Sequence, residues 1–248
     1  MDFSPSKPSH WGVLLLLTVS LFVFIGFPIL SYIGAITYTS GGESGVINDV
    51  ILLIIQLILV FLFFILVPIL WFKVINGYSL PQIYSTIGLT RENLDLTIVW
   101  GIITAICAFT VVFAISIILS LLGVDVSKAS NIGELKQFFS IPTLFILIVV
   151  QPFAEEIFFR GFLLVKLSSI LGITAGIILS SILFGLAHLS YGNIYPAAMT
   201  ALVGVVLAVS VVRTKNLYTS IIAHTLFNVT SFSLYILAEL LRGGSLTL

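Results

Sequence analysis

The sequence predicts an all-α membrane protein, a polytopic bundle of about seven to eight transmembrane helices. Three observations predict it. Ten basic and ten acidic residues in 248 make the chain 8% charged, where a soluble globular domain carries about 25%. Apolar residues make up 59%, and mean hydropathy is +1.25. The charges are also clustered, which leaves uncharged runs long enough to cross a bilayer. A soluble fold of this composition would leave a large apolar surface in water. Disorder is excluded, because disordered segments are poor in apolar residues and rich in charge. Net charge is zero with no basic block, so no nucleic-acid partner is expected.

A spanning helix needs about 20 mostly apolar residues. Lys7 is followed by 35 uncharged residues before Glu43. A signal peptide has a shorter apolar region, roughly 7–15 residues, so this first span is expected to be retained. Further uncharged runs of 23, 29, 18, 46 and 23 residues begin after Asp49, Asp95, Lys136, Lys166 and Lys215. The run of 46 holds two spans, divided by a turn-like Tyr191-Gly192-Asn193. The expected spans are 11–38, 47–74, 97–122, 142–167, 171–190, 195–212 and 216–241, the sixth being the shortest. Gly77, Pro81 and Gly88 mark 76–95 as an interfacial or re-entrant segment, and 125–140 reads as a loop with a surface helix. The whole chain, 1–248, reads as a single integral membrane domain.

Lysine and arginine placement sets orientation. With the N-terminus in the cytoplasm, Lys7, Lys73, Arg91, Lys166, Arg213 and Lys215 lie inside, and Lys128, Lys136 and Arg242 outside. That bias predicts a multi-pass cell-membrane protein with a cytoplasmic N-terminus. The single cysteine, Cys107, allows neither an intramolecular disulfide nor a cysteine zinc cluster. Its expected role is burial as a small apolar residue.

Three charges lie inside a span: Glu155, Glu156 and Arg160. Each ionised group at membrane depth costs about 2.5–3.5 kcal/mol on insertion scales. Glu156 and Arg160 are i, i+4 on one helix face and can pair. Glu155 points about 100° away and is read as having no partner in the local sequence. An unpaired buried carboxylate suits a general base. Pro152 removes a backbone donor and loosens the helix, which a polar cavity tolerates. The bland alternative is a polar knot that locks helix packing.

Two later spans carry polar pairs at the same spacing, Phe184 with His188 and His224 with Asn228. Singly, a histidine is more often a satisfied packing residue, and His10 fits that description. Together, buried polar groups need partners, and these are one another's nearest candidates. Gly161, Gly172, Gly176, Gly185 and Ala187 would let the helices approach closely. Such a set can activate water for hydrolysis without a covalent intermediate. Glu155 would take the proton, His188 would position the water or share in proton transfer, and His224 and Asn228 would stabilise an oxyanion. The same side chains could instead bind a divalent metal such as zinc as a His₂Glu set. Neither a His-Glu-x-x-His motif nor a Gly-x-Ser-x-Gly motif occurs, and Asp95 and Asp125 sit at span edges.

Glu155-Glu156-Ile157-Phe158-Phe159-Arg160 resembles the Glu-Glu-x-x-x-Arg motif of the CPBP family, the CAAX protease and bacteriocin-processing, or Abi, membrane proteins. Phe184–His188 resembles its Phe-x-x-x-His motif, and His224–Asn228 its His-x-x-x-Asn motif, in the same order on separate spans. The resemblance covers about 142–230, the motif-bearing catalytic core. It implies a helical bundle with a conical intramembrane cavity and an activity like that of the type II CAAX prenyl endopeptidases. Those enzymes remove the last three residues after a prenylated cysteine. By that resemblance Glu155 activates the water and His188 is the second essential catalytic residue. Glu156, Arg160 and Phe184 support the site, while His224 and Asn228 stabilise the oxyanion. The implied partner is a membrane-anchored or prenylated peptide or protein; no metal is carried over. The alternatives are a non-proteolytic bacteriocin-immunity or scaffold protein and a proton- or cation-coupled transporter.

One expectation conflicts with the expected spans. Counted from their cytoplasmic ends, Glu155 lies about 12 residues deep, His188 about 17 and His224 about 8. At 1.5 Å per residue these levels differ by roughly 14 Å.

Overall fold

The computed structural model describes residues 3–33, 49–124, 126, 135–136, 139–189 and 194–242, and all regular elements among them are helices. The helices are α1 (Pro8–Tyr32), α2 (Asp49–Ile75), α3 (Leu80–Ile87), α4 (Leu94–Leu121), α5 (Ile141–Leu171), α6 (Ile173–Leu186), α7 (Ile194–Thr214) and α8 (Leu217–Leu241). All but α3 and α6 are long and apolar enough to cross a membrane. The described residues therefore give six such helices, where seven to eight were expected.

The short helix is also not the one expected. The stretch read as the shortest span forms α7, of 21 residues, whereas α6 has only 14. Fourteen residues rise about 21 Å, short of the roughly 30 Å hydrocarbon core. Gly172, at φ +84°, turns α5 directly into α6. The turn-like Tyr191-Gly192-Asn193 and most of the 125–140 loop lie outside the described residues.

The outward faces carry large apolar side chains such as Phe61, Ile106, Phe113 and Leu121, and α4 turns small and polar residues inward. On α4 the buried positions are Thr97, Gly101, Thr104, Ala105 and Ala108. This reverses a soluble pattern, because lipid is as apolar as leucine and packing rather than burial drives association. Cys107 follows the outward face and is exposed, not buried as expected. Gly185 shows the close approach most sharply. A Cβ there would lie 2.5 Å from the Ala197 carbonyl oxygen on α7, so α6 and α7 touch backbone to backbone. His10 is buried and accepts from the Ser4 N–H at 3.0 Å, as a satisfied packing residue should.

The helix chain order gives the bundle two ends. One end bears the N-terminus, α3 and the α5–α6 and α7–α8 connections, with Lys7, Lys73, Arg91, Lys166, Arg213 and Lys215 toward it. We call it the basic end and its opposite the distal end. At the basic end α3 is a single amphipathic helix within the segment read as interfacial. The Gln82 side chain accepts from both the N–H and the hydroxyl of Ser79, closing its start. Gly88, at φ +78°, closes its other end. Ile83 and Ile87 face inward, and Ile87 lies against Gly161 of α5.

This packing removes the mismatch in depth. Glu155 and His188 lie at nearly equal distances from the α5–α6 turn, because α5 runs on to Leu171. The α8 helix starts inside the bundle: Asn216 and Leu217 are buried, and Leu217 packs against Gly161. Its first turn is held by the chain before α4. The Leu217 N–H donates to Gly88 O at 2.8 Å, and the Asn216 side chain donates to Thr90 O and Thr97 Oγ1. A span read as starting at the end of the bundle in fact starts inside it, which brings His224 Nε2 to 3.7 Å from Glu155.

Candidate active site

Glu155, Glu156 and Arg160 lie in the middle of α5, and all three are buried. Pro152 lacks an N–H, and the backbone from Ile157 to Leu164 follows the wider i→i+5 pattern. Such widening appears mostly as short bulges at functional sites; here it spans eight residues. Arg160 Nη1 donates to Glu156 Oε1 at 2.7 Å, one turn along the helix. The same oxygen accepts from His224 Nδ1 of α8 at 2.9 Å. Arg160 Nη2 donates to Gly204 O of α7 at 3.3 Å. Three helices therefore meet on one buried pair.

Glu155 turns to the other side, as its 100° offset requires. Its Oε2 lies 3.7 Å from His224 Nε2. Its Oε1 accepts a hydrogen bond from the Gln151 side chain, and Gln151 Oε1 lies 3.5 Å from Gln56 Nε2 of α2. The expectation that Glu155 has no local partner is thereby corrected, since Gln151 stands one turn earlier on the same face. The i, i+4 rule that paired Glu156 with Arg160 applies equally to Gln151 and Glu155. Gln56 carries no comparable sequence signal, because it acts across helices.

Phe184 links the three motifs. The Arg160 guanidinium sits 4.1 Å from its ring centroid. Its edge contacts are to His188 at 4.9 Å and His224 at 5.5 Å between centroids. The His188 Nδ1 lies 2.8 Å from Phe184 O. A carbonyl can only accept, so His188 carries its proton on Nδ1. His224 likewise carries a proton on Nδ1, facing the Glu156 carboxylate. An imidazole that holds its one proton on Nδ1 offers Nε2 as an acceptor.

A cavity of about 470 Å³ lies over this cluster, lined by Glu155, Phe184, His188, His224 and Asn228. Glu156 and Arg160 lie behind it. All seven residues singled out in the sequence therefore gather at one place, five on the cavity wall and two supporting it. A larger groove, about 740 Å³, runs between α4 and α7 toward the basic end and holds none of the seven. Among the described residues no three His, Cys, Asp or Glu side chains converge as ligands of a metal ion. His224 Nδ1 is committed to Glu156, and its Nε2 faces Glu155 across 3.7 Å. The His₂Glu alternative finds no assembled ligand set, and no step below runs through a metal.

Similarity to known proteins agrees with the motifs. A family model described as Type II CAAX prenyl endopeptidase Rce1-like matches residues 137–230. That stretch includes every residue of the cluster. No curated protein and no solved structure matches the chain.

Proposed function

We infer, from the Rce1-like CAAX-protease domain at residues 137–230, that the protein is an intramembrane endopeptidase whose Glu155 activates water. The observation that supports this most is the setting of Glu155. It is a buried carboxylate held by Gln151 on one oxygen and facing His224 with the other, at the wall of a cavity it shares with His188 and Asn228.

The chemistry follows from what each atom can do. Glu155 accepts a proton from water as the water oxygen attacks the peptide carbonyl carbon. The carbonyl electron pair moves onto oxygen, and the Asn228 amide donates to that oxyanion. His224 joins it from Nε2 when its ring carries both protons. His188, with its proton on Nδ1, has an Nε2 lone pair to accept from the attacking water and fix its position. Collapse re-forms the carbonyl and breaks the C–N bond, and the leaving amine takes the proton held by Glu155. Glu156 and Arg160 touch no reacting atom. They fix His224 and tie α5 to α7 and α8.

The substrate is a membrane-associated polypeptide cleaved near its C-terminus, with prenylated CAAX proteins as the first candidates. A lipidated chain partitions into the bilayer and reaches a cavity between helices without leaving it. The direct test incubates purified protein with a farnesylated CAAX peptide, with and without chelator, and reads the products by mass spectrometry. Release of the last three residues supports the reading. An intact peptide under both conditions counts against it, and cleavage lost only with chelator shows a metal requirement.

A further inference from the structure

The groove between α4 and α7 shares no lining residue with the cavity beside Glu155, and its walls change character along its length. At the basic end Glu92, Arg213 and Lys215 line it, all three exposed. None of them forms an ion pair with another described residue. Deeper, Leu96, Trp100 and Ile103 of α4 stand opposite Val205, Val206 and Val209 of α7. Cys107 is the lining residue of α4 furthest from the basic end. Several polar groups of the wall are already satisfied. Thr97 donates to Asn93 O, Ser210 to Leu207 O, and the Asn216 amide to Thr90 O and Thr97 Oγ1. The Trp100 indole is 45% exposed and has no hydrogen-bond partner among the described residues. Tryptophan in that state suits the boundary between an apolar and a wet layer.

The dimensions fit a lipid. From Asn93 to Cys107 α4 rises about 21 Å. That is the depth of one leaflet, half of a bilayer about 40–45 Å thick with its headgroups. The groove volume, about 740 Å³, falls within the range of about 300–1,000 Å³ usual for small-molecule sites. The mouth is also held in shape. Asn93 and Lys215, at φ +51° and +55°, are the non-glycine residues of positive φ among the described residues, and both line the groove. Lysine rarely adopts that backbone, and such outliers cluster at ligand clamps. The Lys215 N–H donates to Val211 O at 2.7 Å, and Asn216 beside it ties the start of α8 to the chain before α4.

We propose that this groove holds one phospholipid of the basic-end leaflet, and that its headgroup is an ethanolamine. The phosphate meets Arg213 and Lys215, and the ammonium meets Glu92. One acyl chain runs along Trp100, Ile103, Val206 and Val209 toward Cys107. Charge complementarity selects the headgroup. Two cations suit any phosphate, but a headgroup without positive charge sets Glu92 against that phosphate, and like charges repel. A choline carries the positive charge but has no N–H to donate to the carboxylate. A lipid in this place braces α7, whose Gly204 carbonyl accepts from Arg160. The inference does not depend on the endopeptidase reading.

Cys107 is the single cysteine of the chain and reports occupancy without any substitution. Purified protein, stripped of lipid in a maltoside detergent, is alkylated with N-ethylmaleimide in mixed micelles containing dioleoyl-phosphatidylethanolamine. Parallel samples contain the phosphatidylglycerol, the phosphatidylcholine or the farnesylated CAAX peptide, and intact-protein mass spectrometry reads each rate. At about ten times Kd, mass action leaves about one site in ten open. The ethanolamine lipid should therefore slow alkylation about tenfold and raise the melting temperature, and the other two lipids should act weakly. Arg213→Gln/Lys215→Gln should lose the protection, and Glu92→Gln should erase the preference over phosphatidylglycerol. Equal protection by all three lipids, the mark of a nonspecific annulus, overturns the proposal. So does stronger protection by phosphatidylglycerol, no protection by any lipid, or protection that survives the removal of both cations. Protection by the peptide in place of lipid overturns it too and makes the groove a substrate site. Arg213→Gln or Lys215→Gln alone repeats the measurement should the double variant fail to fold.

Discussion

Gln151→Leu should slow catalysis without unfolding the protein. Gln151 is half-buried and donates to Glu155 Oε1 from one turn earlier on α5. Leucine has nearly the same length and keeps the packing, but it leaves that oxygen without its donor. A hydrogen bond to a charged group is worth about 1.5–3 kcal/mol. If it holds the carboxylate in its reactive pose, all of that appears in the barrier. At 1.36 kcal/mol per decade, kcat should fall about 10- to 150-fold. KM should stay within about twofold, because Gln151 orients the base through Glu155 and need not hold the substrate. The assay is initial-rate kinetics on a cleavable peptide in detergent, with thermal unfolding recorded on the same preparations. A kcat within threefold of wild type, with the fold intact, would refute the positioning role. So would a rise in KM at constant kcat. Gln56→Leu should act more weakly, because its contact to Gln151 is long at 3.5 Å.

Other perturbations test the remaining parts of the site. Arg160→Met strands Glu156 in a buried setting and should destabilise by about 3–5 kcal/mol. Glu156→Leu/Arg160→Met should recover most of that loss in thermal unfolding while activity stays low, because His224 has lost its anchor. Asn228→Ala removes the proposed oxyanion donor and should lower kcat by about 100- to 1,000-fold with little change in melting temperature. Gly185→Leu puts side-chain atoms where a Cβ alone would meet Ala197 O at 2.5 Å. It should prevent α6–α7 assembly, seen as loss of folded protein on size-exclusion chromatography.

Much of this molecule is legible in its sequence, for a physical reason. Lipid forbids stray charge, so Glu155, Glu156 and Arg160 stand out against an uncharged background, and i, i+4 spacing already pairs two of them. The same spacing within Phe184–His188 and His224–Asn228 marks the partners. The relative depths were not legible. Hydropathy gives length but not level, so nothing in residues 216–241 says that α8 begins beneath α3 and the chain before α4, held by Gly88, Thr90 and Thr97. The short α6 was hidden for the same reason, since its uncharged run continues past Leu186, where the helix stops. The hydrogen bond from Gln151 obeys the same i, i+4 spacing, but a neutral amide leaves no mark on the charge pattern. The exposed Cys107 shows the limit of a soluble-protein habit: in a bilayer the outward face is the apolar one.

Glu155→Gln is the measurement that bears most directly on the proposed chemistry. Glutamine keeps the shape and a hydrogen-bonding oxygen but cannot take a proton. Purified Glu155→Gln protein should unfold near the wild-type temperature and release no product from a peptide that wild type cleaves. Turnover at the wild-type rate by that variant would contradict the assignment of Glu155 as the base.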